Sequence, residues 1–124
     1  MSGELAYTGA ANHDTGYVQM IARTWRGVTR EADADRYATY IEETGLRAFS
    51  ETPGNVGALL LRRPLGDASE PTTEFLVVSF WDSMEAVKRF AGPRPDTAVF
   101  YPEDERYLVR RDLSVEHFEV VVRR

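Results

Sequence analysis

The alternation of apolar and polar residues predicts a chain of four strands and two helices. Residues that favour strands dominate four segments, 17–28, 56–62, 73–81 and 113–122. Apolar side chains recur at helical spacing after the first strand and stop at Gly45, a residue type that commonly ends helices. A shorter helix follows the start signal Asp82-Ser83-Met84-Glu85 and ends at Gly92. The order strand, helix, strand, strand, helix, strand is that of a ferredoxin-like split βαβ fold of the α+β class.

The third predicted strand is apolar on both of its faces. The apolar side chains of one face are those of Phe75, Val77 and Trp81. Those of the other face are Leu76, Val78 and Phe80. The two predicted helices cover one face of the sheet, and the chain has no further segment to cover the second. A second copy, packed sheet to sheet by two-fold symmetry, would bury that face. The pattern therefore predicts a homodimer.

The composition excludes several classes of function. The chain has 124 residues and no cysteine, which excludes thiolate catalysis, iron–sulfur ligation and disulfides. Its net charge of −5 opposes electrostatic binding to nucleic acid or anionic lipid. No apolar run is long enough to span a membrane, and residues 1–16 lack the pattern of a secretion signal. We therefore expect a flexible tail over 1–16, a single domain over 17–124, a cytoplasmic location, and no nucleic-acid or membrane partner.

One stretch of the chain carries a family resemblance. Val78-Ser79-Phe80-Trp81-Asp82-Ser83-Met84-Glu85-Ala86 is similar to the strand-end pattern of the antibiotic biosynthesis monooxygenase-like family, within the dimeric α+β barrel superfamily. The resemblance extends over most of 17–122 and implies that two ferredoxin-like domains form a dimeric α+β barrel. The superfamily includes quinone-forming monooxygenases, haem-degrading enzymes, isomerases and proteins without known activity. The resemblance also implies that Trp81 contacts a polycyclic aromatic substrate, and packing in the core is the alternative.

Two basic side chains are candidates for catalysis. His117 is the only histidine between residues 17 and 124, and its ordinary pKa suits a general base that deprotonates a phenol. The alternative is a hydrogen-bonded histidine of the sheet or the interface. Arg23 shares a face of the first strand with Trp25, so both side chains point into one cavity or onto one interface. Arg23 would hold either a substrate oxyanion or a structural carboxylate such as Glu119.

Aromatic residues complete the candidate site, with Trp25, Trp81, Tyr37 and Tyr101 as the predicted substrate-binding side chains. Tyr37 also fits the core stripe of the first helix. The acidic run Glu103-Asp104-Glu105 is typical of a solvated helix start. A lone histidine without cysteines makes a poor metal site, and the chain lacks phosphate-binding and dinucleotide-binding motifs. We therefore expect neither a metal nor a cofactor.

These residues suit a cofactor-independent monooxygenase-like tailoring enzyme that acts on an electron-rich, polyketide-type polycyclic aromatic. An ionised phenol can itself reduce dioxygen, so the protein must supply only a base, donors for the anion and a pocket that excludes water. The alternative is a non-catalytic dimer that binds a small ligand or has a structural role. Haem degradation is disfavoured because its axial histidine comes, in the resembling enzymes, from the segment after the Trp. No histidine occurs here between Asp82 and Glu116.

Overall fold

A computed structural model describes residues 20–66 and 69–124 of the chain. The tail predicted over 1–16 and the first residues of the predicted first strand lie outside the described residues. The described elements, in chain order, are β1 (Ile21–Arg30), a 3₁₀ turn (Glu31–Asp33), α1 (Ala34–Ile41), a π-helical turn (Glu42–Leu46), α2 (Arg47–Ser50), β2 (Asn55–Leu65), β3 (Thr72–Trp81), α3 (Met84–Ala91), α4 (Asp104–Tyr107), β4 (Leu108–Arg111) and β5 (Glu116–Glu119).

The strands form one antiparallel sheet in the order β2-β3-β1-β4, with β5 also paired to β1. The antiparallel sheet with helices packed on it confirms the predicted ferredoxin-like α+β fold. In β3 every second residue is buried, from Thr73 to Trp81, and these residues face the helices. Leu76, Val78 and Phe80 lie on the opposite face. Helices therefore cover one side of the sheet.

The first helical segment runs further than its sequence predicts. Gly45 was expected to end the helix, yet a π-helical turn carries the chain through this residue and α2 continues to Ser50. The continuation places Phe49 in the core, where its ring contacts Trp81 edge to face with 5.8 Å between centroids. Burial of a large aromatic ring outweighs the helix penalty of one glycine, which amounts to about 1 kcal/mol. The prediction that the helix stops at Gly45 is therefore wrong.

The C-terminal segment contains two strands where the sequence predicts one. Between β4 and β5 the chain leaves β1 and instead pairs with the segment after α3: the amide of Val115 donates to the carbonyl of Asp96, and that of Ala98 to Leu113. The indole of Trp25 also donates to the carbonyl oxygen of Asp112. Asp112 still bonds to β1, since its amide also donates to the carbonyl of Arg26, whereas Val115 has its partner outside β1. The strand predicted over 113–122 is thus shortened to Glu116–Glu119, and β4 is a strand that the sequence did not predict.

Two turns place the helices against the sheet. Gly54 adopts φ of 98° in the turn before β2, as expected for a glycine after a proline. Ser83 caps α3 by accepting a hydrogen bond from the amide of Ala86. None of the helices in the described part of the chain is both long and apolar enough to cross a membrane.

Candidate functional site

A small cavity lies between the helices and the covered face of the sheet. Its volume is about 40 Å³, which is room for about three water molecules. Most of its wall is apolar or aromatic, and the polar side chains on the wall are those of Arg23, Tyr37, Ser79, Tyr101 and Asp104. The cavity thus combines an apolar wall with a few polar groups, as ligand sites commonly do.

Arg23 provides the positive charge of the cavity. Its side chain projects from the covered face of β1, and the residue is only 4% exposed. Nη2 donates to the carbonyl oxygens of Thr97, at 3.1 Å, and Pro95, at 3.4 Å, and the guanidinium lies 5.4 Å from the ring centre of Phe90. Burial lowers the pKa of Arg23 from its usual range to about 10, against the opposing effect of Tyr101 and Asp96. Arg23 is therefore a buried cation at neutral pH.

One nitrogen of that cation has no hydrogen-bond partner. Within the described part of the chain, Arg23 Nε is buried and makes no hydrogen bond. The bonds of Arg23 to the carbonyls of Pro95 and Thr97 replace the structural pairing with Glu119 that the sequence suggests, and Glu119 itself is exposed. A buried N–H without a partner costs about 1–3 kcal/mol. Arg23 lines the cavity, and an acceptor bound there within reach of Nε would remove this cost.

Asp104 provides a second charged group on the wall. The residue is 5% exposed, Oδ1 accepts the Tyr37 hydroxyl at 3.2 Å, and Oδ2 accepts the Tyr101 amide at 2.6 Å. Burial raises the pKa of Asp104, while the bonds from Tyr101 and Tyr37 and the charge of Arg111 oppose the rise. Burial and Asp104 together raise the pKa of Tyr37 far above its usual range. Tyr37 therefore remains a neutral donor.

The charges of Asp104 and Arg23 both act on the phenol of Tyr101. Tyr101 lines the cavity, and burial, followed by the charge of Asp104, raises the pKa of its phenol, while Arg23 acts in the opposite direction. The sequence-predicted residues Arg23, Trp25, Tyr37 and Tyr101 therefore meet on one wall. Gly27 leaves room for the Trp25 indole, because a Cβ at position 27 would collide with the ring.

Trp81 lies apart from this wall. The residue is completely buried beneath the helices, its indole Nε1 donates to Ser79 Oγ at 2.9 Å, and its ring contacts Phe49 and Phe90. Among the described residues that line the cavity, Trp81 does not occur. The structure therefore places Trp81 in the core, the alternative to a substrate contact.

His117 lies beside Arg23 on the same face of the sheet. The two residues are directly paired across β1 and β5, and His117 Nδ1 is 3.3 Å from Asp96 Oδ1. His117 is not among the described residues that line the cavity. Burial, followed by the charge of Arg23, lowers the pKa of His117, and Asp96 opposes this shift. His117, the predicted base, thus contacts Asp96, which lies between the two residues whose carbonyls accept from Arg23. It does not line the cavity.

The depressed pKa of His117 predicts a loss of stability on acidification. Between the lowered pKa of the folded state and the ordinary histidine pKa of 6.5, the unfolded chain binds more protons than the folded chain, so the free energy of unfolding falls as the pH falls. From about pH 7 to about pH 5, we expect wild type to lose more stability than His117→Gln in chemical denaturation. Equal losses in wild type and His117→Gln would contradict the prediction.

Asp104 is the site residue that the sequence interpretation missed. Its position in an acidic run suggested a solvated helix start, and Glu103 and Glu105 are indeed exposed. The spacing of apolar residues could have identified Asp104 as buried. Tyr107 and Leu108, three and four residues after Asp104, pack against the core. Asp104 lies on the same face and is therefore turned inward.

Solved structures share this fold. A candidate antibiotic biosynthesis monooxygenase from Bacillus cereus is 15% identical with a TM-score of 0.57, over 85% of this chain and 94% of that one. A Shewanella oneidensis protein is 12% identical with a TM-score of 0.55, over 84% and 93%. A heme-degrading protein from Mycobacterium tuberculosis is 22% identical with a TM-score of 0.50, over 86% and 97%. The chain has the antibiotic biosynthesis monooxygenase-like fold.

Comparisons of the sequence identify no relative of the chain. No family model matches the chain, and no curated protein matches it. The antibiotic biosynthesis monooxygenase-like fold is thus shown by structure, at identities where fold carries little information about activity.

The cavity wall does not fit a haem group. Haem iron takes histidine, thiolate, thioether or tyrosinate ligands, and the cavity wall contains no histidine or methionine among the described residues. The Tyr37 hydroxyl donates to Asp104, and the raised pKa of Tyr101 disfavours a phenolate. No group of three or more acidic or histidine side chains that could hold a metal ion occurs in residues 20–66 and 69–124.

Proposed function

We propose that the chain is a cofactor-independent monooxygenase that acts on an electron-rich phenolic ring of a polycyclic aromatic compound. The observation that carries this proposal is the buried guanidinium of Arg23, whose Nε is without a hydrogen-bond partner on an otherwise largely apolar wall. A cation in a site of low dielectric stabilises a phenolate or enolate oxygen more strongly than water does.

The proposed reaction uses only substrate electrons. A ring carbon that carries two hydrogens, opposite a ring carbonyl as in an anthrone, loses a proton and becomes an electron-rich enolate. The enolate supplies four electrons to dioxygen in all. One oxygen atom becomes a new ring carbonyl and the other leaves as water with the two hydrogens of the carbon. Arg23 would hold the enolate oxygen, and the aromatic wall would exclude water.

The cavity must widen for a polycyclic substrate, because its present volume of about 40 Å³ is smaller than a fused ring system. Trp25, Leu46 and Phe90 line it and are only partly buried. Displacement of Trp25 and Leu46 would open a path from solvent while Phe90, which contacts Trp81, stays in the core.

We also propose that the protein is a homodimer whose two sheets pack face to face. Leu59 is paired with Val78, and Leu61 with Leu76, so these side chains point away from the helices. Leu59 is 50% exposed and Leu61 45%. On β5, Phe118 is 51% exposed and pairs with Ala22 on the same face. A second copy would cover this apolar surface.

We further propose a cytoplasmic location, because a chain without cysteine does not require an oxidising compartment.

Oxygen uptake with anthrone-type and naphthol-type compounds tests the oxygenase. We expect uptake by wild type and a loss of about 10²–10³-fold in Arg23→Met, because a preorganised donor to the oxyanion is removed. Arg36→Met, on the exposed surface of α1, is the matched control and should keep full uptake.

Other outcomes distinguish the alternatives. Binding of 1-naphthol without oxygen uptake by any phenol would contradict the oxygenase and favour a non-catalytic ligand-binding dimer. A Soret shift on haem titration, lost in Tyr101→Phe, would contradict the mismatch with haem.

A further inference from the structure

His117, the base that the sequence predicts, lies beside Arg23 but does not line the cavity. A base must reach the proton that it removes. On the described wall, the carboxylate of Asp104 is the group that can accept a proton at neutral pH, since Arg23 is a cation and the pKa values of Tyr37 and Tyr101 are raised.

Asp104 keeps acceptor capacity for a ligand. A carboxylate offers about four lone-pair positions, and the structure uses two of them, one on each oxygen, for the Tyr37 hydroxyl and the Tyr101 amide. The remaining positions belong to a side chain that lines the cavity. The two existing bonds also fix the orientation of the carboxylate, so a ligand need not order it.

The two charged groups are held by different parts of the wall. Arg23 is tied to the carbonyls of Pro95 and Thr97, whereas Asp104 is tied to Tyr37 on α1 and to the amide of Tyr101. The Tyr101 phenol responds to the charges of both groups. A ligand that reaches both therefore meets an acceptor at one place and a donor at another.

We propose that Asp104 is the catalytic base of this cavity, and that Asp104 and Arg23 together select rings with an acidic hydrogen at one position and a conjugated oxygen at another. The inference rests on the proposed oxygenase. When the C–H bond facing Asp104 breaks, its electron pair moves through the ring to the oxygen facing Arg23, and the proton passes to the carboxylate. When the hydrogen is on an O–H group, the electron pair stays on that oxygen and is delocalised into the conjugated ring. The neutral carboxylic acid then releases this proton to the water that forms from dioxygen.

The environment of Asp104 suits this role. Burial raises its pKa towards the range in which a carboxylate is an effective base. Tyr37, Tyr101 and Arg111 act in the opposite direction and limit this rise.

The first arm of the test measures binding, independently of turnover. Wild type should bind 1-naphthol about tenfold or more tightly than 1-methoxynaphthalene, which lacks the hydroxyl donor, because bonds to charged groups are strong. Asp104→Leu should lose this preference while it binds the ether as wild type does. Glu103→Gln, the exposed neighbour, should behave as wild type. An unchanged preference in Asp104→Leu, or equal losses for both ligands, would overturn the proposal.

The second arm measures the reaction. Asp104→Asn keeps the shape of the side chain and should reduce oxygen uptake by about 10²–10⁴-fold with an ordinary naphthol. With a nitro-substituted naphthol, which ionises without help, the loss should shrink at least tenfold. A loss independent of substrate acidity would overturn the proposal. If wild type shows the hydroxyl preference but no oxygen uptake, the oxygenase fails while Asp104 remains the acceptor of the site.

Discussion

Trp81→Ala is expected to lower the free energy of unfolding by about 3–5 kcal/mol, the usual cost of removing a fully buried large aromatic side chain. Trp81 has no exposed surface, and its ring contacts the rings of Phe49 and Phe90 with 5.8 Å between centroids in each pair. Its loss also leaves Ser79 Oγ without the indole donor. Chemical denaturation of both proteins measures the difference.

Trp25→Ala is the matched comparison. Trp25 is partly exposed and lines the cavity, so its loss should cost less stability but weaken the binding of 1-naphthol by up to about tenfold. Trp81→Phe, which keeps a ring in the core, should recover much of the stability and bind 1-naphthol as wild type does. A loss below about 1 kcal/mol in Trp81→Ala, together with loss of 1-naphthol binding, would return Trp81 to the substrate-contact role.

The two tryptophans show how much of this site can be predicted from the sequence. The period of two along β1 correctly placed Arg23 and Trp25 on one face, because strand geometry determines which side chains point together. The same logic could not separate a wall residue from a core residue at Trp81. That distinction depends on where Phe49 and Phe90 lie after the helices pack, and no local pattern contains this information.

The fold was predictable in its order and not in its irregularities. The strand and helix order follows from periodicity, and the apolar character of both faces of β3 is visible in the sequence. The passage of the helix through Gly45 and the shortening of the last strand depend on tertiary partners, namely the burial of Phe49 and the pairing of Val115 with Asp96. The inward turn of Asp104 likewise depends on Tyr37, which lies 67 residues away in the sequence.

Leu59→Glu is expected to dissociate the proposed dimer. Leu59 projects from β2 beside Val78 on the sheet face away from the helices. A two-fold interface contains the substitution twice, so two carboxylates would enter an apolar surface, each at a cost of several kcal/mol. Even a net cost of about 4 kcal/mol raises the dissociation constant about 10³-fold. Sedimentation of wild type at micromolar concentration should show twice the mass of the chain, and that of Leu59→Glu a single chain.

Two controls separate charge on this face from a general effect of substitution. Leu113→Glu introduces the same charge at an exposed leucine outside the strands and should leave the dimer intact. Leu59→Gln has a similar shape without the charge and should weaken association less than Leu59→Glu, because an amide costs less to bury than a carboxylate. Wild type that sediments as a single chain would contradict the dimer directly. Dissociation by Leu113→Glu alone would place the contact on the loop between β4 and β5, leaving the apolar face of Leu59 and Phe118 for a different partner.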